Sequence, residues 1–219
     1  MVLKKTEIVK RYLLFIISLF FIGLGIGFAK RAELGISPIS SLANVMSERF
    51  TFMSLGTWLL IANMLFLLAQ ILILRRNFKI VQLLQIPLSF VFGYFTDFGV
   101  WLVKGLPNDT YILKILILLI SIVIIGFGVA LGVIANAILN SPEALMKVIS
   151  DKTKKEFGTI KVIFDVSWVS LAVILSLIFF NGKLVGIREG TVISAILIGF
   201  VVKFFRPILQ KPLTRILTK

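Results

Sequence analysis

Lys161 and Asp165 stand one helical turn apart in an otherwise apolar stretch, the spacing of an intrahelical ion pair or of a proton or cation relay. Asp97 is the second acid set deep among apolar residues, and Asn63, Gln82, Gln85 and Asn136 add neutral amides. Ionisable groups in apolar helices are costly to keep, so they point first to the handling of a solute or ion. Plainer readings stand beside this one: Asp165 serves only Lys161, and Asp97 sits near an outer interface. Two Ser-Pro pairs, Ser37-Pro38 and Ser141-Pro142, have the chemistry of helix starts, with Ser suited to the N-cap and Pro to the first turn. The N–H groups of such a turn can face an anionic or polar solute. Alternatively, each pair opens an amphipathic helix lying at the membrane interface. The candidate binding residues are therefore Asp165, Asn63, Ser37, Ser141, Asp97, Gln85 and Lys161. The chain has no His and no Cys, which removes Ser-His and Cys-His catalysis and thiolate or imidazole metal sites. No catalytic residue, metal or cofactor is expected, and an enzyme is the least expected class.

The elements that hold these residues are set by composition. Of 219 residues, 58% are hydrophobic and 16% charged, and the mean hydropathy is +1.05. A water-soluble domain cannot hide so much apolar surface. The net charge of +14 sits at the ends of apolar runs rather than on one face, which is the positive-inside pattern and not a nucleic-acid footprint. The lipid bilayer is the expected partner.

Six spans of the required length of about 20 residues follow: about Tyr12–Ala29, Gly56–Leu74, Ile80–Val103, Tyr111–Leu139, Thr159–Phe180 and Val192–Phe205, with a basic tail after the last. The first run follows Lys4, Lys5, Lys10 and Arg11, but it is long for a signal peptide and is read as a helix. Pro87 is expected to kink the third span near Gln85. An orientation with both termini in the cytoplasm of a bacterial cell places most Lys and Arg inside, as expected for a multi-pass protein of the plasma membrane.

Two stretches share an ordered set of features. Gly23, Gly25 and Gly27 precede Ser37-Pro38, and Gly126, Gly128 and Gly132 precede Ser141-Pro142. Leu55-Gly56-Thr57 answers Phe157-Gly158-Thr159, and six residues after each Thr stands Asn63 or Asp165. Three spans is an odd number, so the second copy enters the membrane from the opposite side. The expected fold is an all-α polytopic membrane bundle in a single domain. Its six transmembrane helices form two inverted three-helix repeats, residues 1–104 and 105–219, each with a short Ser-Pro-capped interfacial or re-entrant helix. In the first short helix, Ile39, Leu42, Ala43 and Met46 share one face; in the second, Leu145, Val148 and Ile149 do. Gly23-xxx-Gly27 and Gly128-xxx-Gly132 are expected to bring the first and fourth spans together.

Leu34-Gly35-Ile36-Ser37-Pro38, Ser141-Pro142-Glu143-Ala144-Leu145 and Gly186-Ile187-Arg188-Glu189-Gly190-Thr191 resemble motifs of the YczE/YyaS/YitT-type bacterial membrane proteins, nearest to the DUF6198 branch. The likeness covers nearly the whole chain. It implies a basic residue and an acid one turn apart in the fifth span, matched by Lys161 and Asp165. Some members carry a polar or acidic residue after the glycine of the sixth span; here stand Val201, Val202 and Lys203, so the resemblance implies no site there.

Repeat and polar residues together point to a small-solute permease. The alternatives are a substrate-binding membrane subunit of a multi-component importer, which needs an energising partner, and a non-transporting scaffold or regulator. Substrate, coupling ion and any homo-oligomer are not encoded in a legible way.

Overall fold

Eight α-helices account for nearly all of residues 5–218, the part that the computed structural model describes; Lys4 and Lys219, two of the basic flanking residues, lie outside it. Six helices are long and apolar enough to cross a membrane. They are α1 (Lys5–Ala32), α3 (Leu55–Leu74), α4 (Gln85–Leu102), α5 (Tyr111–Ala135), α7 (Phe157–Phe179) and α8 (Glu189–Thr218). The two short helices, α2 (Pro38–Arg49) and α6 (Ser141–Thr153), begin at the Ser-Pro pairs. The outer faces of the long helices carry Leu65, Leu72, Phe90, Ile112, Val162 and Phe204, all exposed. Such a continuous apolar surface is stable against lipid and not against water. The chain is a multi-pass membrane protein.

Helix starts and stops follow local chemistry. Ser54 caps α3 by accepting from the Thr57 N–H at 3.1 Å, and Thr110 caps α5 by accepting from the Leu113 N–H at 3.3 Å. Pro87 does not kink a continuous span. A 3-10 turn over Ile80–Leu84 gives way to α4 at Gln85, so Pro87 falls in the first α-turn, where its missing N–H costs nothing. Asn136 is not inside a span either; it ends α5 in the left-handed region at φ 46°. The basic tail is helical as well, since α8 runs on through Pro207 and Pro212. Its last turns return to α1: Leu217 is buried with Leu14 and Phe15, and Lys10 donates to the Ile216 carbonyl at 3.1 Å.

The central pair is α1 and α5, which share the largest interface in the bundle. Around them α1 packs on α4 as α5 packs on α8, and α2 packs on α7 as α6 packs on α3. One pairing breaks the match, because α3 lies along α4 whereas α7 and α8 barely meet. Small residues set these approaches. A Cβ on Gly128 would stand 2.9 Å from the Ile22 nitrogen of α1, and one on Gly132 would stand 3.1 Å from Ser18 Oγ. This half of the expected glycine contact is present. Gly23 and Gly27 turn the other way, to Phe95-Thr96 and Gly99 of α4, and it is Gly25 that meets α5 at Ile125.

The short helices are buried among their neighbours. In α2 the expected apolar face is only partly so: Ala43 is buried, but Ile39, Leu42 and Met46 are half-buried. Ser40, Ser41, Asn44 and Ser47 are the buried polar residues of this helix. The serines bond locally, Ser41 donating to the Pro38 carbonyl at 2.6 Å and Ser47 to that of Asn44 at 2.9 Å, while Asn44 Oδ1 is buried without a partner. Asn44 donates across to the Gly186 carbonyl at 2.9 Å. In α6, Leu145 and Val148 are buried as their spacing requires.

Candidate functional site

A cavity of about 440 Å³ lies at the centre of the bundle, walled by α1, α3, α4, α5, α7 and α8. The two short helices reach it only by their first turns: Ser37 to Ser40 from α2, and Asn140 to Glu143 from α6. Nothing later in either helix lines it, so both helices end on this space. Neither N-cap side chain, that of Ser37 or of Asn140, makes a cap hydrogen bond. The Ser37 hydroxyl instead meets that of Ser40 at 3.1 Å. The positive ends of two helix dipoles are therefore directed at the cavity, although Pro38 and Pro142 carry no N–H and the Ser40 N–H already bonds the Ser37 carbonyl at 3.0 Å.

One of these ends is fixed by amides. Gln70 of α3 and Gln85 of α4 exchange hydrogen bonds, each Nε2 donating to the other's Oε1 at 3.1 Å, and Gln70 also donates to the Ser141 carbonyl at 3.0 Å. Gln70 is wholly buried and Gln85 nearly so. Two amides in an apolar bundle must find partners, and each supplies what the other lacks.

On the α6 side the cavity is charged. Lys161 donates to Asp165 Oδ2 at 2.7 Å, while Asp165 Oδ1 is buried without a partner. Glu143 faces the same space, feels the charge of Lys161, and reaches back to the Asn140 backbone N–H. On the α2 side there is no charge: the first turn of α2 holds no acid, and α3 presents Asn63. Ser89, Ser141 and Ser194 line the cavity as hydroxyls at least 95% buried. Phe15, Leu19, Ile26, Phe66, Phe92 and Ile125 supply an apolar body to the wall. Helices α7 and α8 both line it yet scarcely touch each other.

Six of the seven residues singled out from sequence meet here: Asp165, Asn63, Ser37, Ser141, Gln85 and Lys161 all line this one cavity. Asp97 is elsewhere. Its carboxylate accepts from Ser54 Oγ at 2.6 Å and from the Gly56 N–H at 2.8 Å, tying α4 to the start of α3. Sequence reasoning missed Gln70, Glu143, Ser89, Ser194 and Lys203. A lone amide in the apolar run of α3 was the available signal for Gln70. Gly199, Val202 and Lys203 also wall the cavity, so the stretch after the α8 glycine belongs to it after all.

A second cavity, of about 450 Å³, lies at the far end of α1 and is lined by charges of both signs. These are largely engaged already: Lys30 pairs with Glu48 at 3.0 Å, Lys114 with Glu33 at 2.6 Å and Arg188 with Glu189 at 3.1 Å. Beside it two sequence motifs clamp together. The Gly190 N–H donates to the Leu34 carbonyl at 2.8 Å, and a Cβ on Gly35, which has φ +93°, would stand 2.8 Å from the Arg188 nitrogen. This cavity is a structural junction; the central one has unspent polar groups.

Architecture and site together define a multi-pass helical membrane protein with a polar-ended central cavity. The chain belongs to the family of unknown function DUF6198, whose model matches residues 9–207. It is similar to the uncharacterized membrane protein YczE of Bacillus subtilis, 28% identical over 93% of this chain and 88% of the relative. It is also similar to the uncharacterized protein YyaS of the same organism, 23% identical over 92% of this chain and 94% of that one. No solved structure matches the chain.

Proposed function

We propose that this chain is a small-solute permease of the bacterial plasma membrane, with residues 1–104 and 105–219 acting as two inverted repeats that rock about the central cavity. One observation carries the reading: Asn63, Asp165 and both Ser-Pro turns, the features shared by the two halves, line the same cavity. The matched pairings, α1 on α4 with α5 on α8 and α2 on α7 with α6 on α3, are those expected of a two-fold exchange of the halves. In this reading α2 and α6 are re-entrant rather than interfacial, since their first turns end on the cavity and their polar residues are buried in protein. Both termini are cytoplasmic, as the distribution of Lys and Arg favours. The solute sits against the two helix starts, and no covalent chemistry is performed on it.

The test is uptake by purified protein in liposomes, screened over small solutes with and without a pH gradient. Saturable flux of at least one solute is expected, reduced by Asp165→Asn and Asn63→Ala. Folded protein that moves none of them contradicts the proposal.

A further inference from the structure

The two ends of the central cavity have opposite electrical character. At the α2 end lie an uncapped helix start of a 12-residue helix, no acid in its first turn, and the neutral Asn63 of α3. At the α6 end the positive helix start is met by its own acid, Glu143, which accepts from the Asn140 N–H, and Asp165 adds a second carboxylate; the ammonium bonded there is that of Lys161. Lys161 is already committed to Asp165 at 2.7 Å. The other cavity lysine, Lys203, turns its ammonium to the exposed Phe200 ring, 5.9 Å from the centroid, and among the described residues Glu143 forms no ion pair.

An unmatched carboxylate in a space of low dielectric is stabilised by an added cation, and a bare helix start by an added anion. Neither end is satisfied by water alone in a wall that is mostly apolar. Ser89, Ser141 and Ser194 line this space with hydroxyls that can donate and accept, and Asp165 Oδ1 is buried there without a partner. A purely anionic solute would meet Glu143 and Asp165, and a purely cationic one would meet the α2 dipole.

We propose that the cavity binds a zwitterionic solute with an apolar body, its acid group at the first turn of α2 and its ammonium group at Glu143 and Asp165. This assignment rests on the permease reading for its transport role but not for its binding chemistry. Glu143 is thereby a specificity-determining residue: it selects for the ammonium group, while Ser37 and Ser40 help seat the acid.

The experiment uses the full chain in lipid nanodiscs, with ligand-induced thermal stabilisation and tryptophan fluorescence as readouts (Trp58 and Trp168 flank the α3 and α7 walls). Four probes suffice: L-leucine and 6-aminohexanoate as zwitterions of short and long charge separation, 4-methylpentanoate as the anion and 3-methylbutylamine as the cation. At least one zwitterion is expected to bind, and the two singly charged probes to bind at least about tenfold more weakly, the worth of one charge-assisted contact. Glu143→Gln should weaken the zwitterion by a similar factor and improve 4-methylpentanoate. Asp165→Asn, if it folds where the first variant does not, should change preference in the same direction. Equal binding of a singly charged probe, unchanged preference in a folded variant, or no binding of either zwitterion overturns the assignment. Zwitterion binding without flux in liposomes leaves it standing and removes the permease. Flux of a singly charged solute without zwitterion binding does the reverse.

Discussion

The side-chain amides of Gln70 and Gln85 face each other across α3 and α4 and hold the first turn of α6 through the Ser141 carbonyl. A bond network inside an apolar bundle has few alternative partners, so breaking it strands what remains. Gln70→Leu leaves the Gln85 amide unpaired and removes the tie to the Ser141 carbonyl, at a cost of about 1–3 kcal/mol. Thermal unfolding in detergent should show that loss. The double variant Gln70→Leu, Gln85→Leu should recover part of it, because removing both partners costs less than removing one.

Asp97 separates structure from site. Its carboxylate accepts from Ser54 and from the Gly56 N–H and lies away from the cavity. Asp97→Ala should lower stability by roughly 1–2 kcal/mol, the range of a lost helix cap. Ligand preference per folded molecule should stay unchanged. A shift in solute selectivity with unaltered stability would place Asp97 in the transport path instead.

Close helix approach makes Gly27 intolerant. A Cβ there would stand 2.6 Å from both the Gly99 oxygen and the Val100 nitrogen, backbone atoms that cannot step aside. Gly27→Val should reduce the folded yield severely, by several kcal/mol on the scale of overpacked cores. Gly105→Ala is the control, since a Cβ there meets nothing within 4 Å. It should stay within about 0.5 kcal/mol of the parent. The measurement is the folded, monodisperse fraction after extraction, with melting curves where protein survives.

These three tests also mark what the sequence disclosed. Hydropathy located all six spans, and the paired Ser-Pro and Asn/Asp positions brought four residues, Ser37, Ser141, Asn63 and Asp165, to one cavity. That worked because a membrane tolerates buried polar groups only where they serve something. What stayed hidden was set by neighbours. The partner of Gly23 and Gly27 is α4 rather than α5, a choice made by tertiary packing. In α2 the serines and Asn44 share the buried positions with Ala43 and Val45, so its expected apolar face is only partly buried. Glu143 stands in the first turn of α6, and its place on the cavity wall depends on where that helix start is packed.

Glu33 offers a pH-dependent tie outside the spans. The Lys114 ammonium, bonded to it at 2.6 Å, holds its carboxyl below the usual carboxylate value. A lowered folded-state value means that this contribution to stability is fully present above the ordinary carboxylate range and is lost as pH falls through the folded value. The pair is half exposed, so the effect is small and screened by salt. Melting curves from pH 7 to pH 3 should show a shallower acid slope for Glu33→Gln than for the parent. Identical slopes would mean that the pair contributes nothing.

Alternating exposure of the central cavity is the claim on which the rest depends, and the chain's lack of cysteine makes it directly measurable. A single Ala62→Cys on the cavity wall is probed with a membrane-impermeant maleimide from each side of the bilayer. Lys152→Cys and Asp109→Cys serve as markers of the two faces. The account predicts that the Ala62→Cys thiol is labelled from both sides while each marker is labelled from one. Labelling of the cavity thiol from one side only, or from neither, would contradict it.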